Sequence, residues 1–266
     1  MNFGIGILYF FIISVVISTS AIAGISGGVV LRPVFDLINY HDVLEIGFYM
    51  AIAVITMTIS STIKQIKMGT RIKFDKAITL ALGAVAGGWV GHWTLEWATR
   101  YVNVNAIQMF QNIFSLVALI LVLIVTREKT KKFTLKGHQW YVAAGFGLGT
   151  FASLLAIGGG PINVAAFTII FGITLKEATV YSITTILFTQ LSRLVTMSMA
   201  PGGLGRFDMS LLLFVIPAAV IGGYIGGRLN VKFSDKQVMK VFKFVVVGTI
   251  LINVINTINF GIGLLR

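Results

Sequence analysis

Residues 155–172 read LAIGGGPINVAAFTIIFG. Three contiguous glycines, Gly158, Gly159 and Gly160, interrupt an apolar run, and Pro161 follows them directly. Glycine reaches the backbone conformations that end a helix, and proline suits the first turn of the next one. The pattern predicts a helix that stops near residue 157, a break, and a short new helix over 161–172. The new helix is too short to cross a hydrocarbon core of roughly 30 Å unaided.

A second break lies upstream. Gly24-Ile25-Ser26-Gly27-Gly28 precedes another short apolar stretch, 28–40. Around these two half-helices, hydropathy and breakers predict eight long helices near 4–24, 43–66, 76–98, 104–126, 138–157, 174–198, 208–229 and 236–257. Hydrophobic residues make up 56% of the chain and charged ones 11%, more apolar surface than one soluble core hides. The fold class is an all-α integral membrane protein. The N-terminal stretch lacks the basic region of a signal peptide and reads as a retained first helix.

Sliding the chain against itself by 132 residues aligns Ile25-Ser26-Gly27-Gly28 with Ile157-Gly158-Gly159-Gly160. Phe35 then meets Phe167, Glu45 meets Glu177, Tyr49 meets Tyr181 and Ser60 meets Ser192. After short insertions, Phe74-Asp75 meets Phe207-Asp208, and Gly87, Gly88 and Gly91 meet Gly222, Gly223 and Gly226. Ordered agreement of this kind indicates an internal duplication. Its expected boundaries are a first membrane repeat at 1–126, a basic linker at 127–137 and a second repeat at 138–266. Five segments per repeat, counting the short one as a crossing, bring the second repeat in from the opposite side. Such inverted repeats, with broken helices meeting near the bilayer midplane, are a recurrent transporter design. Ten ordinary helices, two of them short, are the alternative.

The net charge of +12 is concentrated in three groups. They are Lys64, Lys67, Arg71, Lys73 and Lys76; Arg127, Lys129, Lys131, Lys132 and Lys136; and Arg228, Lys232, Lys236 and Lys240. Short basic loops stay in the cytoplasm, so the charge reports orientation in a plasma membrane rather than a nucleic-acid partner. It places both termini outside. With no cysteine and three histidines, no thiolate, disulfide or Cys-ligated metal is available, and no cofactor is implied. No nucleophile with a partnered base and no phosphate-loop signature appears, so an enzyme is not expected.

The breaks themselves suggest the chemistry. Backbone amides freed at Gly158–Pro161 and at Ser26, Gly27 and Gly28, next to positive helix-dipole ends, form anion sites. Close helix packing is the other use of small residues. Arg32 and Arg193 are costly in lipid and are candidate anion ligands. Alternatively, Arg32 pairs with Asp36 one turn on, and Arg193 snorkels to the outer headgroups. Ser26 and Asn163, with Thr58 and Gln190 at aligned positions, are candidate hydrogen-bond donors, or else polar glue between helices. Glu45 and Glu177 stand at equivalent helix starts, where capping competes with proton coupling. His92 and Glu96 share a face of one helix near Trp89, Trp93 and Trp97, which reads first as an outer aromatic belt and second as a proton site.

At Gly24-Ile25-Ser26-Gly27-Gly28 with Arg32-Pro33, and at Ile157-Gly158-Gly159-Gly160-Pro161, the chain resembles the sulfite exporter TauE/SafE family, whose members carry a Gly-x-Gly-Gly-type signature in each of two repeated halves. The likeness covers essentially the whole chain, with one departure: Ser26 stands where the signature has a glycine. The resemblance implies a transporter of sulfur-containing anions such as sulfite, sulfonates or related organic acids. The expected mechanism holds the anion between the two short-helix N-termini while the repeats rock to expose it to either side, with a proton as a candidate coupling ion. An anion channel and a non-transporting membrane scaffold are the rival functions.

Overall fold

The computed structural model describes residues 3–38, 40–69, 74–126, 133–155, 159–200 and 202–264. Among them are ten α-helices and no strand: α1 (Phe3–Ala23), α2 (Gly28–Ile38), α3 (Val43–Lys67), α4 (Phe74–Tyr101), α5 (Val104–Val125), α6 (His138–Leu154), α7 (Gly160–Ile170), α8 (Leu175–Met199), α9 (Leu212–Lys232) and α10 (Asp235–Leu264). Eight long and two short helices thus occur in the expected order. Five of them, α1, α3, α4, α9 and α10, contain stretches long and apolar enough to cross a membrane. The chain is a multi-pass membrane protein.

Local chemistry sets the ends. Gly159 precedes α7 with φ +71°, a left-handed conformation that costs a residue with a Cβ about 1–2 kcal/mol. Pro161 sits in the first turn, where its missing N–H leaves no bond unmade. A capping box starts α3: the Asp42 carboxylate accepts from Glu45 N at 2.7 Å, and Glu45 Oε2 accepts from Asp42 N at 3.2 Å. The helix expected from residue 208 begins later. The Asp208 carboxylate accepts from Ser210 N at 2.9 Å and stabilises a 3₁₀ turn over Met209–Leu211, so α9 starts only at Leu212. The Ser210 hydroxyl, together with the same amide, holds the Asp208 carboxyl below its ordinary range.

Apolar side chains cover the outside. Phe11, Leu82, Trp89, Trp93, Leu213, Phe244 and Leu251 are all exposed, as lipid-facing residues are and as a soluble surface of this extent is not. The polar residues turn inward instead. Helix α8 is long, but it carries Thr185, Thr189, Gln190, Ser192 and Arg193 on buried positions, and it packs between α3 and α4. Its polarity follows from facing other helices rather than lipid.

Glycines make the tightest seams. Gly83, Gly87 and Gly91 of α4 lie against the backbone of α6 at Val142, Phe146 and Thr150. Gly222 and Gly226 of α9 lie in the same way against Ser14 and Ser18 of α1. Ser192 Oγ donates to Val85 O at 3.0 Å, and Ser60 Oγ donates to Val220 O at 2.9 Å. Helices from the first half therefore pack chiefly on helices from the second, α1 on α9 and α4 on α6.

Candidate functional site

The two glycine breaks meet in the interior. Gly160 lies so close to the Ile25-Ser26 peptide that a Cβ there would stand 2.7 Å from Ile25 C. Gly24, with φ +68°, presses on Thr179 of α8, and Ser182 Oγ of the same helix donates to Gly160 O at 3.4 Å. Both short-helix starts are thus fixed to each other and to α8. Ser26 is fully buried, and its hydroxyl oxygen accepts from Gly28 N at 3.2 Å, which leaves the hydroxyl proton to donate elsewhere. Gly27 packs against Ile17. Gly158 lies outside the described residues.

Several polar groups in this interior lack hydrogen-bond partners among the described residues. Asn163, one turn into α7 and 1% exposed, has both its Oδ1 and its Nδ2 unpaired. On α8, Gln190 Nε2 and Arg193 Nε are also unpaired. An orphaned buried polar atom forfeits about 1–3 kcal/mol, so each of these groups favours a polar partner. Arg193 is buried, with Nη2 held against Gly47 of α3, where a Cβ would lie 2.6 Å away. It is therefore directed inward and does not snorkel. Buried His92 of α4 faces the charge of Arg193, and its Nδ1 is unpaired.

The two arginines differ in kind. Arg32 Nη2 donates to Gln111 Oε1 at 2.8 Å and Nη1 to Leu155 O at 3.3 Å, while Nε stands 3.7 Å from Asp36 Oδ2. Gln111 Nε2 in turn donates to Leu154 O at 2.8 Å. Arg32 thus ties α2 to α5 and to the end of α6, and it forms the Asp36 pair named as its alternative role. Gln111 escaped the sequence reading. Its signal was an amide within an apolar segment, weaker than that of a charge.

The remaining candidates are dispersed. Thr58 Oγ1 donates within its own helix to Ile55 O at 2.8 Å. Glu45 is engaged in its capping box and lies 3.0 Å from His41 Nδ1. The amide of Glu177 donates to Thr174 Oγ1 at 3.3 Å at the start of α8. Glu96 meets Arg100 at 3.3 Å, and Trp89, Trp93 and Trp97 form an exposed stripe on the same helix. If Glu45 acts only as a cap, Glu45→Gln keeps the box, because a glutamine amide oxygen still accepts at that position. The expected result is an unchanged pH profile of flux in proteoliposomes, with a melting temperature within experimental scatter of the parent.

A multi-pass helical bundle with lipid-facing apolar walls and a buried, partly unsatisfied polar interior is the architecture of a membrane transporter. The family model described as "Sulfite exporter TauE/SafE" matches residues 9–253. The chain belongs to the TauE/SafE family of membrane transporters. It is also similar to a Bacillus subtilis (strain 168) protein named "Probable membrane transporter protein YunE", at 21% identity over 258 residues covering 86% of this chain and 90% of the relative. No solved structure matches.

Proposed function

We propose that the chain carries small sulfur-containing anions, such as sulfite, an organosulfonate or a related organic acid, out of the cytoplasm by alternating access. The observation that carries this reading is the set of unsatisfied buried donors on two inner helices, Asn163 of α7 and Gln190 and Arg193 of α8, with Gly160 of α7 abutting Ser26. An oxyanion fits such donors: Arg193 supplies charge, Asn163 and Gln190 direct their amides, and Ser26 offers a hydroxyl proton. Arg32, engaged with Asp36, Gln111 and Leu155, holds the short helix in place.

The paired packing of α1 on α9 and α4 on α6, together with the equivalent Ser60 and Ser192 bonds, supports two inverted repeats, at 1–126 and 138–266, around this site. The basic loops then face the cytoplasm and both termini lie outside a plasma membrane. An inside-negative potential favours anion exit by about 2.3 kcal/mol per charge per 100 mV, so export proceeds without a coupling ion.

Flux of sulfite, thiosulfate, a sulfonate and a carboxylate into and out of proteoliposomes tests the reading. A carrier shows saturation and counterflow, a channel shows neither, and a scaffold gives no flux above empty vesicles. Arg193→Gln removes a charge-assisted hydrogen bond of about 1.5–3 kcal/mol, so anion affinity falls about 10- to 100-fold. Because the replaced guanidinium has no carboxylate partner among the described residues, the empty protein is expected to keep or gain thermal stability. Unchanged affinity removes Arg193 from the site.

A further inference from the structure

A groove of about 500 Å³ runs along the outer surface between α3 and α9, and its lining includes none of Asn163, Gln190 and Arg193. Ile59 and Ile63 of α3 and Val220 of α9 form its apolar walls, each between 44% and 49% exposed. At one end the walls give way to Lys64, Lys67 and Tyr224. Lys64 does not swing freely there. Its Nζ donates to Tyr224 Oη at 3.1 Å and lies 4.4 Å above the centre of the same ring, so the ammonium is held at the groove mouth with N–H donors to spare.

The charge at this mouth is uncompensated by the helices that build it. Helix α9 contains no Asp or Glu, and the one acid of α3, Glu45, stands at the opposite end of that helix. Arg228 and Lys232, farther along α9, add to the same sign. An apolar trough that ends in one held and one exposed cation matches a molecule with a hydrocarbon chain joined to an anionic head. A free oxyanion matches only the mouth. A zwitterionic lipid matches the trough but brings its own cation to a positive site.

We infer that this groove is a binding site for an anionic phospholipid of the leaflet beside the basic loops, with an acyl chain along Ile59, Ile63 and Val220 and the phosphate between Lys64 and Lys67. The site shares no lining residue with the buried donors and does not depend on what the protein carries.

Native mass spectrometry and thermal melting of the detergent-solubilised protein test the inference. Phosphatidylglycerol and phosphatidylcholine of identical chains form two arms, and inorganic phosphate forms a third. The expected result is a preference for phosphatidylglycerol of about 10-fold or more, in line with two surface cations near an anionic head. Lys64→Gln with Lys67→Gln brings binding to the phosphatidylcholine level. Ile59→Trp fills the trough while keeping both lysines, and it also weakens phosphatidylglycerol. All three positions are at least partly exposed, so the variants are expected to fold, and their lipid-free melting temperatures verify it. Three results overturn the inference: a preference that survives loss of both lysines, a preference untouched by Ile59→Trp, or protection by inorganic phosphate equal to that by the lipid.

Discussion

Gly160→Ala is expected to leave a protein that either fails to accumulate in the membrane or melts far below the parent. The added methyl has nowhere to go, because its nearest neighbours are the backbone atoms of Ile25 and Ser26 rather than the end of a flexible side chain. Overpacking a core usually costs about 1–3 kcal/mol, and the upper end applies where main chain must move. Relaxation means separating the two short-helix starts, so surviving protein should also lose anion flux. Gly147→Ala is the control, since a Cβ at Gly147 meets no atom within 4 Å. It removes a helix glycine at a favourable conformation and should be neutral or slightly stabilising. A melt of both variants in detergent decides the matter, and equal stabilities would show that the breaks are not in contact.

Arg32→Gln produces the second large effect by a different route. The substitution strands the Asp36 carboxylate, 4% exposed, and removes the donors that Gln111 Oε1 and Leu155 O now accept from. Breaking a buried pair on one side costs about 3–5 kcal/mol. Neutralising both members should recover much of this loss, so Arg32→Gln with Asp36→Asn is expected to melt above Arg32→Gln alone. A double-mutant cycle read by thermal or denaturant unfolding gives the coupling directly, and additive effects would deny the pair. The contrast with Arg193 is diagnostic. Loss of Arg32 is expected to harm the fold, whereas loss of Arg193, whose Nε has no partner among the described residues, is expected to harm binding.

The helices were readable because lipid imposes long apolar runs, and because Gly158–Pro161 and Gly24–Gly28 interrupt them. Half-helices were legible for the same reason. The interior was harder to read. That Arg32 has partners on α5 and at the end of α6, while Arg193 Nε has no acceptor among the described residues, depends on which helices become neighbours, and no spacing within one segment records it. Asn163, Gln190 and Thr58 looked alike as polar residues in apolar segments. Only the folded packing shows that Thr58 bonds within its own helix while the other two retain unpaired atoms. Gln111 was passed over because a single amide amid Ile, Phe and Leu carries too little signal without its neighbours.

The glycine seams bear on how such a molecule changes shape. Because α1 lies on α9 and α4 on α6 with main chain nearly touching main chain, each sequence half is fastened to the other along two rods. A motion that swung residues 1–126 bodily against 138–266 would tear both seams open. In place of two rocking repeats, the packing favours mixed stiff pieces, each joining a helix from the first half to a helix from the second. The line between such pieces is then expected to cross the boundary between residues 1–126 and 138–266 rather than follow it.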